Sequence, residues 1–214
     1  IIVDGGNANY HDSQRRADLF DQLGIDFVDA GVSGGIWGLE NGYCLMVGGK
    51  KSAIKQIQPI LEALAPAKDT GWSHVGPVGA GHYTKMIHNG IEYGMMQAFA
   101  EGFTLLKNKD EMQLDLAQIA ELWQHGSVVR SWLLDLMAEF LQQDQNLDNV
   151  STYVADSGEG RWTIEESILQ GIPAPVLSQA LTMRFASQDE DGYSFKLLAK
   201  MRQAFGGHNI GKSK

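Results

Sequence analysis

At 214 residues the chain has room for one large domain or one and a half, taking roughly 150 residues per domain. Its 26 acidic against 17 basic side chains give a net charge of −9, and with no Lys/Arg cluster nucleic acid is excluded as the main partner. No run approaches the roughly 20 apolar residues of a membrane-spanning helix, and a single cysteine, Cys44, allows neither a disulfide framework nor a Cys-rich zinc site.

Ten of the 25 glycines fall in the first 50 residues, where strand and helix patterns alternate. Ile1-Ile2-Val3 reads as a buried strand ending at Asp4-Gly5-Gly6. The chain begins inside that strand, without initiator Met or signal peptide, so an amino-terminal part is expected upstream. Asp12 and Ser13 are the candidate caps of a helix carrying Ala17, Phe20 and Leu23, stopped at Gly24. Strands are predicted over 25–28 and 43–47, the second closed by Gly48-Gly49. The spacing Ile54, Ile57, Leu61, Leu64 predicts a helix kinked at Pro59, and 70–75 reads as a last strand.

Past Gly76-Pro77 the pattern becomes helical: one long helix over 80–107, then 114–123, 130–141, 162–169, 175–185 and 193–205. The fold class is therefore α/β followed by all-α, divided into 1–77 and 78–214. There is no internal repeat, and the basic tail 211–214 is expected to fray.

The long helix carries the chemistry. With Lys85 at zero and 100° per residue, Glu92 falls at about −20°, Asn89 at about +40°, His88 at about −60° and Tyr93 at about +80°. Five hydrogen-bonding side chains thus share a face, and Gly90 and Gly94 on the opposite side allow a close neighbour. Lys85 and Glu92 are seven residues apart, about 10.5 Å along the axis, beyond the reach of a helical ion pair. Two readings stand: a solvated face, or a pair that brackets a small polar ligand. The second suits acid–base work at two carbons, provided the lysine pKa is lowered and the glutamate pKa raised.

The run Lys85-Met-Ile-His-Asn-Gly-Ile-Glu-Tyr-Gly94 resembles the catalytic helix of the decarboxylating 6-phosphogluconate dehydrogenases. Asp4-Gly-Gly-Asn7, Gly31-Val-Ser-Gly-Gly35, and Arg202 with Phe205-Gly-Gly-His208 resemble three further signatures of that family, in order along the chain. The short helical tail is similar to the shorter bacterial form rather than the long form with a duplicated helical domain. The resemblance implies the carboxy-terminal part of a Rossmann-like cofactor domain, joined to a helical domain of the 6-phosphogluconate dehydrogenase type.

It also implies roles. Lys85 would be the base that takes the C3 hydroxyl proton as hydride leaves for NAD or NADP, with a lean to NAD because short forms are often NAD-linked. Glu92 would protonate C1 of the enediol after carbon dioxide departs, and no metal is implied. His88 and Asn89 would orient the substrate; Ser33, Gly34 and Gly35 would hold its carboxylate; Asn7 would lie between nicotinamide and substrate. Tyr93, Arg184, Arg202 and His208 would receive the phosphate of a sugar-acid phosphate, the last two from the partner subunit of a homodimer. A cytoplasmic location follows from cysteine usage and the family.

Plainer readings attach to other residues. His82 reads as a surface or capping residue, Trp123, Trp132 and Trp162 as core, and Cys44 as a buried strand residue. Two departures stand out. Ser157 and Glu159 occupy the loop where the long form has a Lys and a Thr on the phosphate, so Glu159 points away, or Arg161 compensates, or the substrate is less anionic. The Gly-x-Gly-x-x-Gly turn that holds the cofactor pyrophosphate is expected upstream of Ile1, and 1–214 alone is expected to bind cofactor weakly. The competing functions are oxidation of a smaller β-hydroxyacid, which leaves Glu92 without a proton to deliver, and a non-catalytic helical dimerisation module.

Overall fold

The computed structural model describes residues 1–211, so most of the tail expected to fray lies outside the described residues. A four-stranded sheet comes first, in the order β1 (Ile2–Asp4), β2 (Phe27–Ser33), β3 (Cys44–Gly49), β4 (Trp72–Gly76). β1 and β2 are parallel, β2 and β3 antiparallel, β3 and β4 parallel. Helix α1 (Tyr10–Asp21) links β1 to β2, a 3-10 turn and α2 (Gly38–Asn41) reverse the chain into β3, and α3 (Lys51–Leu64) links β3 to β4.

Strand β2 positions the site because its two faces meet different helices. Alternate strand residues point to opposite sides. Val28 and Val32 pack with Leu45 and Val47 against Ala53, Ile54, Ile57 and Leu61 of α3. Asp29, Gly31 and Ser33 belong to the other face and meet α4 (Ala80–Lys107). The Asp29 carboxylate accepts from the backbone N–H groups of Gly79 at 2.7 Å and His82 at 2.8 Å. A Cβ on Gly31 would stand 2.4 Å from Lys85 Cβ, and Ser33 Oγ lies 3.5 Å from His88 Nε2. Steps of two along the strand, about 6.6 Å, thus run beside steps of three along the helix, about 4.5 Å.

The next four α-helices gather around α4. Near its end, α5 (Leu116–Gln124) and α6 (Trp132–Gln143) build a core from Phe103, Leu116, Ala120, Leu134, Ala138 and Leu141. Around its middle, α7 (Glu159–Gln170) and α8 (Pro175–Gln188) bury Tyr93 with Ala180 and Leu181. A Cβ on Gly90 would meet Thr163 Cγ2 at 2.7 Å, and one on Gly94 would meet Leu177 Cδ2 at 3.2 Å, so these glycines admit side chains of α7 and α8. Helix α9 (Tyr193–Gly206) buries none of its residues. The architecture is a Rossmann-like α/β portion followed by helices.

Several sequence-based expectations are corrected. Asn9, not Asp12 or Ser13, caps α1: its side chain accepts from His11 N–H, and Ser13 is buried with its Oγ 2.6 Å from His82 Nδ1. β2 continues to Ser33 rather than ending at residue 28, because β1 and β3 pair with it in turn. His82 is 2% exposed rather than at the surface, drawn against the sheet because Asp29 takes up the free N–H groups of the first turn of α4. Cys44 is exposed rather than buried, since it opens β3 opposite Ser33 at the sheet's end. Trp123 does belong to the core, edge-on to Phe103, and Trp162 is half-buried. Trp132 is 49% exposed.

Candidate active site

A cleft of about 930 Å³ opens between the carboxyl end of β2 and one face of α4, with the start of α6 as its far wall. Ser33, Gly34 and Gly35 line one side, and Lys85, His88, Asn89 and Glu92 the other. The turn after β2 depends on glycine, since Gly34 has φ +143° and Gly35 φ +52°, where L side chains are strained. Trp132, expected in the core, lines this cleft instead. Tyr93, placed at the edge of the helical stripe, turns away into the α4–α7–α8 core.

The polar groups are close enough to act on one another. Lys85 Nζ is 3.5 Å from His88 Nδ1, which is 3.9 Å from Glu92 Oε2 and 3.0 Å from Asn89 Oδ1. Lys85 is half-buried, and loss of hydration lowers its pKa below the usual lysine value of 10.5 against the opposing pull of Glu92, Glu159 and Cys44. The lowered pKa enlarges the neutral, proton-accepting fraction at any given pH.

Asn7 does not line the cleft but is tied to Asn89, which does, through Glu159. The Asn7 and Asn89 amides both donate to Glu159 Oε1, the second at 3.0 Å. Glu159 is 3% exposed in the first turn of α7, where the N-terminus favours negative charge, and its Oε2 has no hydrogen-bond partner among the described residues. Arg161 does not compensate it: that guanidinium is held by both oxygens of Asp156, at 2.9 and 3.0 Å, and stacks over Phe185.

The residues implicated in phosphate binding lie apart from the cleft lining. Arg184 stacks 3.5 Å above the Tyr93 ring and donates to the Ala155 carbonyl at 2.6 Å, while the Tyr93 hydroxyl accepts from Ser157 N–H at 3.4 Å. Arg202 lies on the uncovered α9 and His208 just beyond it, and neither lines the cleft.

Two residues escaped sequence reasoning. Asp29, fully buried, fixes where α4 begins; a lone carboxylate within the apolar run Phe27-Val-Asp-Ala was its signal. For Glu159 the sequence indicates only a departure in the phosphate loop; it is a buried hydrogen-bond acceptor for Asn89, 70 residues away, a contact that no local spacing reveals.

A half-buried lysine, an imidazole and a carboxyl group thus face one cleft at the end of a Rossmann-like sheet, an arrangement chemically suited to proton transfer, where an α/β portion meets a helical portion. The model of the NAD binding domain of 6-phosphogluconate dehydrogenase matches residues 1–76, and that of the 6-phosphogluconate dehydrogenase C-terminal domain matches 81–210. The chain belongs to the 6-phosphogluconate dehydrogenase family. It is 41% identical over 213 residues to the NAD(+)-dependent, decarboxylating 6-phosphogluconate dehydrogenase of Haloferax volcanii, covering 99% of this chain and 70% of that protein. The solved structure of Plasmodium falciparum 6-phosphogluconate dehydrogenase, studied with NADP+ and with 6-phosphogluconate, superposes with a TM-score of 0.79 at 32% identity, covering 99% of this chain and 46% of that one. The 3-hydroxyisobutyrate dehydrogenase of Salmonella typhimurium, at 20% identity and TM-score 0.71 over 88% of this chain and 64% of its own, shares the fold alone.

Proposed function

We propose that the protein containing this chain oxidises and decarboxylates 6-phosphogluconate to ribulose 5-phosphate and carbon dioxide, reducing NAD(P). The observation that carries the reading is Lys85, half-buried with a lowered pKa, facing one cleft together with His88, Asn89 and Glu92. The residues present fit the nicotinamide end of the cofactor. Gly5, Gly6 and Asn7 follow the carboxyl end of β1, beside the end of β2, where α/β sheets receive ligands. With its amide donating to Glu159, Asn7 presents its carbonyl oxygen as an acceptor. When bound, NAD(P) accepts the hydride from substrate C3; the lean is to NAD, as in the Haloferax relative.

The chain's own residues handle the protons. Neutral Lys85 takes the C3 hydroxyl proton as the hydride leaves, giving a 3-keto acid and a lysine ammonium. Ser33 and the N–H groups of Gly34 and Gly35 hold the carboxylate. The bond from carboxyl carbon to C2 then breaks, its electron pair moves toward the C3 carbonyl, and the Lys85 ammonium returns the proton to that oxygen. Protonated Glu92 delivers a proton to the enediol carbon that becomes C1 of the pentulose, while neutral Lys85 takes back the proton of the neighbouring enediol hydroxyl, so that the C=C pair becomes the new C–H bond and the ketone forms. Arg184 above Tyr93, with Arg202 and His208 from a second copy of the chain, receives the phosphate. The homodimer is part of this proposal, and the uncovered apolar face of α9 supports it.

The test is the full-length protein with 6-phosphogluconate and NAD+ or NADP+. Carbon dioxide and NAD(P)H are expected in equal amounts; reduced cofactor without carbon dioxide would instead identify a simple β-hydroxyacid dehydrogenase, with no task for Glu92.

A further inference from the structure

Glu159 reaches the reacting groups through a chain of donors and acceptors that leaves little freedom. Its Oε1 accepts from the Asn89 amide at 3.0 Å and from the Asn7 amide. Oε1 acts as acceptor in either protonation state, since a proton would sit on the unpartnered Oε2. The NH2 of Asn89 must therefore face Glu159, which turns its Oδ1 to His88 Nδ1, 3.0 Å away. An amide oxygen only accepts, so Nδ1 must carry a proton, and in the neutral imidazole Nε2, 3.5 Å from Ser33 Oγ, is then the lone-pair nitrogen.

We propose that Glu159 is a positioning residue which, through Asn89, sets His88 as the Nδ1–H tautomer. The consequence falls on Lys85. His88 Nδ1 is 3.0 Å from Asn89 Oδ1, 3.5 Å from Lys85 Nζ and 3.9 Å from Glu92 Oε2, so a proton on Nδ1 is given to the Asn89 oxygen while lying near the neutral Lys85 amine and the Glu92 carboxyl group. The opposite tautomer would offer a lone pair there and favour the lysine ammonium. The second anchor, Asn7, lies on the loop after β1, so the same carboxylate ties the sheet to α4 and α7. The consequence for turnover deepens the proposed function and rests on it; the tautomer itself does not.

The experiment reads ring nitrogens. Long-range proton–nitrogen NMR of the full-length protein, with His88 assigned by comparison with His88→Asn, is expected to place the non-protonated nitrogen at Nε2. In Glu159→Gln, whose side-chain NH2 permits Asn89 to turn over, the lone pair should move partly or wholly to Nδ1, with kcat falling on the order of tenfold and KM little changed. A wild-type His88 protonated on Nε2 alone overturns the proposal, as does an unaltered tautomer in a folded Glu159→Gln protein. If that variant does not fold, neutron diffraction of the wild type decides: deuterium on Nδ1, with the Asn89 amide deuterons on Glu159, upholds it, and the reversed amide sinks it. A switched tautomer in a protein that never turns over 6-phosphogluconate would sink the functional reading and leave the relay standing.

Discussion

Gly31 and Lys85 touch across the seam between sheet and helix: a Cβ on Gly31 would lie 2.4 Å from Lys85 Cβ and 2.7 Å from the Gly81 carbonyl oxygen. Strand β2 must therefore be bare at that point for α4 to lie against it, and the helix reaches the sheet at the lysine itself. Gly31→Ala should cost about 1–3 kcal/mol through overpacking, because both obstacles lie close to backbone and cannot swing aside. Urea unfolding is expected to show a lower midpoint with unchanged slope, and an equally stable variant would mean the seam is looser than described.

Burial lowers the Lys85 pKa, and the sign of two effects follows. In the folded state the group gives up its proton more readily than in the unfolded chain, so unfolded protein binds more protons between the two pKa values. Stability attributable to this group therefore rises with pH through that window, up to about 10.5, and the burial penalty is fully present below the folded-state pKa. Lys85→Met should leave the melting temperature at neutral pH unchanged or raised while reducing kcat/KM at least about 100-fold. Calorimetry beside a steady-state assay checks both; a strongly destabilised variant would contradict a half-buried amine whose lost hydration outweighs the pull of its neighbours.

Glu92 lines the same cleft one turn beyond His88, and its Oε2 lies 3.9 Å from His88 Nδ1. Glu92→Gln removes the proton to be delivered to the enediol but keeps the size of the side chain. A fall in kcat of about 100- to 10,000-fold with KM little altered is expected in assays of carbon dioxide and NAD(P)H together. Unchanged turnover would remove Glu92 from the chemistry.

Asp29 accepts from two N–H groups at the start of α4 while wholly buried. Asp29→Asn turns an NH2 toward donors that need acceptors, at a cost of about 1–3 kcal/mol. Because the first turn carries His82 and leads to Lys85, the same variant should lose activity beyond its loss of stability. Denaturant titration and an assay well below the melting temperature separate the two.

Helix α9 exposes Phe195, Leu198, Met201 and Phe205. If this face meets a second copy that shares its site, Leu198→Asp should weaken self-association on the order of tenfold or more in sedimentation experiments. Activity should fall with the loss of dimer and return at high protein concentration. A variant that stays dimeric and active would exclude α9 from the interface.

Much of the fold was legible because it rests on local periodicity. The α4 helix over 80–107 emerged residue for residue, since 28 positions free of proline leave no competing pattern. The neighbourhood of Lys85, His88, Asn89 and Glu92 followed from helical geometry, which places residues three, four and seven apart on one face. Asn9 was overlooked as a cap because Asp12 and Ser13 are also good cap formers, and only the backbone turn at residue 9 separates them.

By itself, then, the sequence determined the order of α/β and helical portions and the polar face of α4, because both depend on repeats of two and 3.6 residues. Tertiary structure alone decided the rest. It buried His82 and Asp29 where the helix meets the sheet, turned Tyr93 into the α7–α8 core, exposed Cys44 and Trp132 at the cleft, and made Glu159 a partner of Asn7 and Asn89. Each of these depends on which elements pack together, and packing brings into contact residues 50 to 150 positions apart, where the chain's local pattern carries no information.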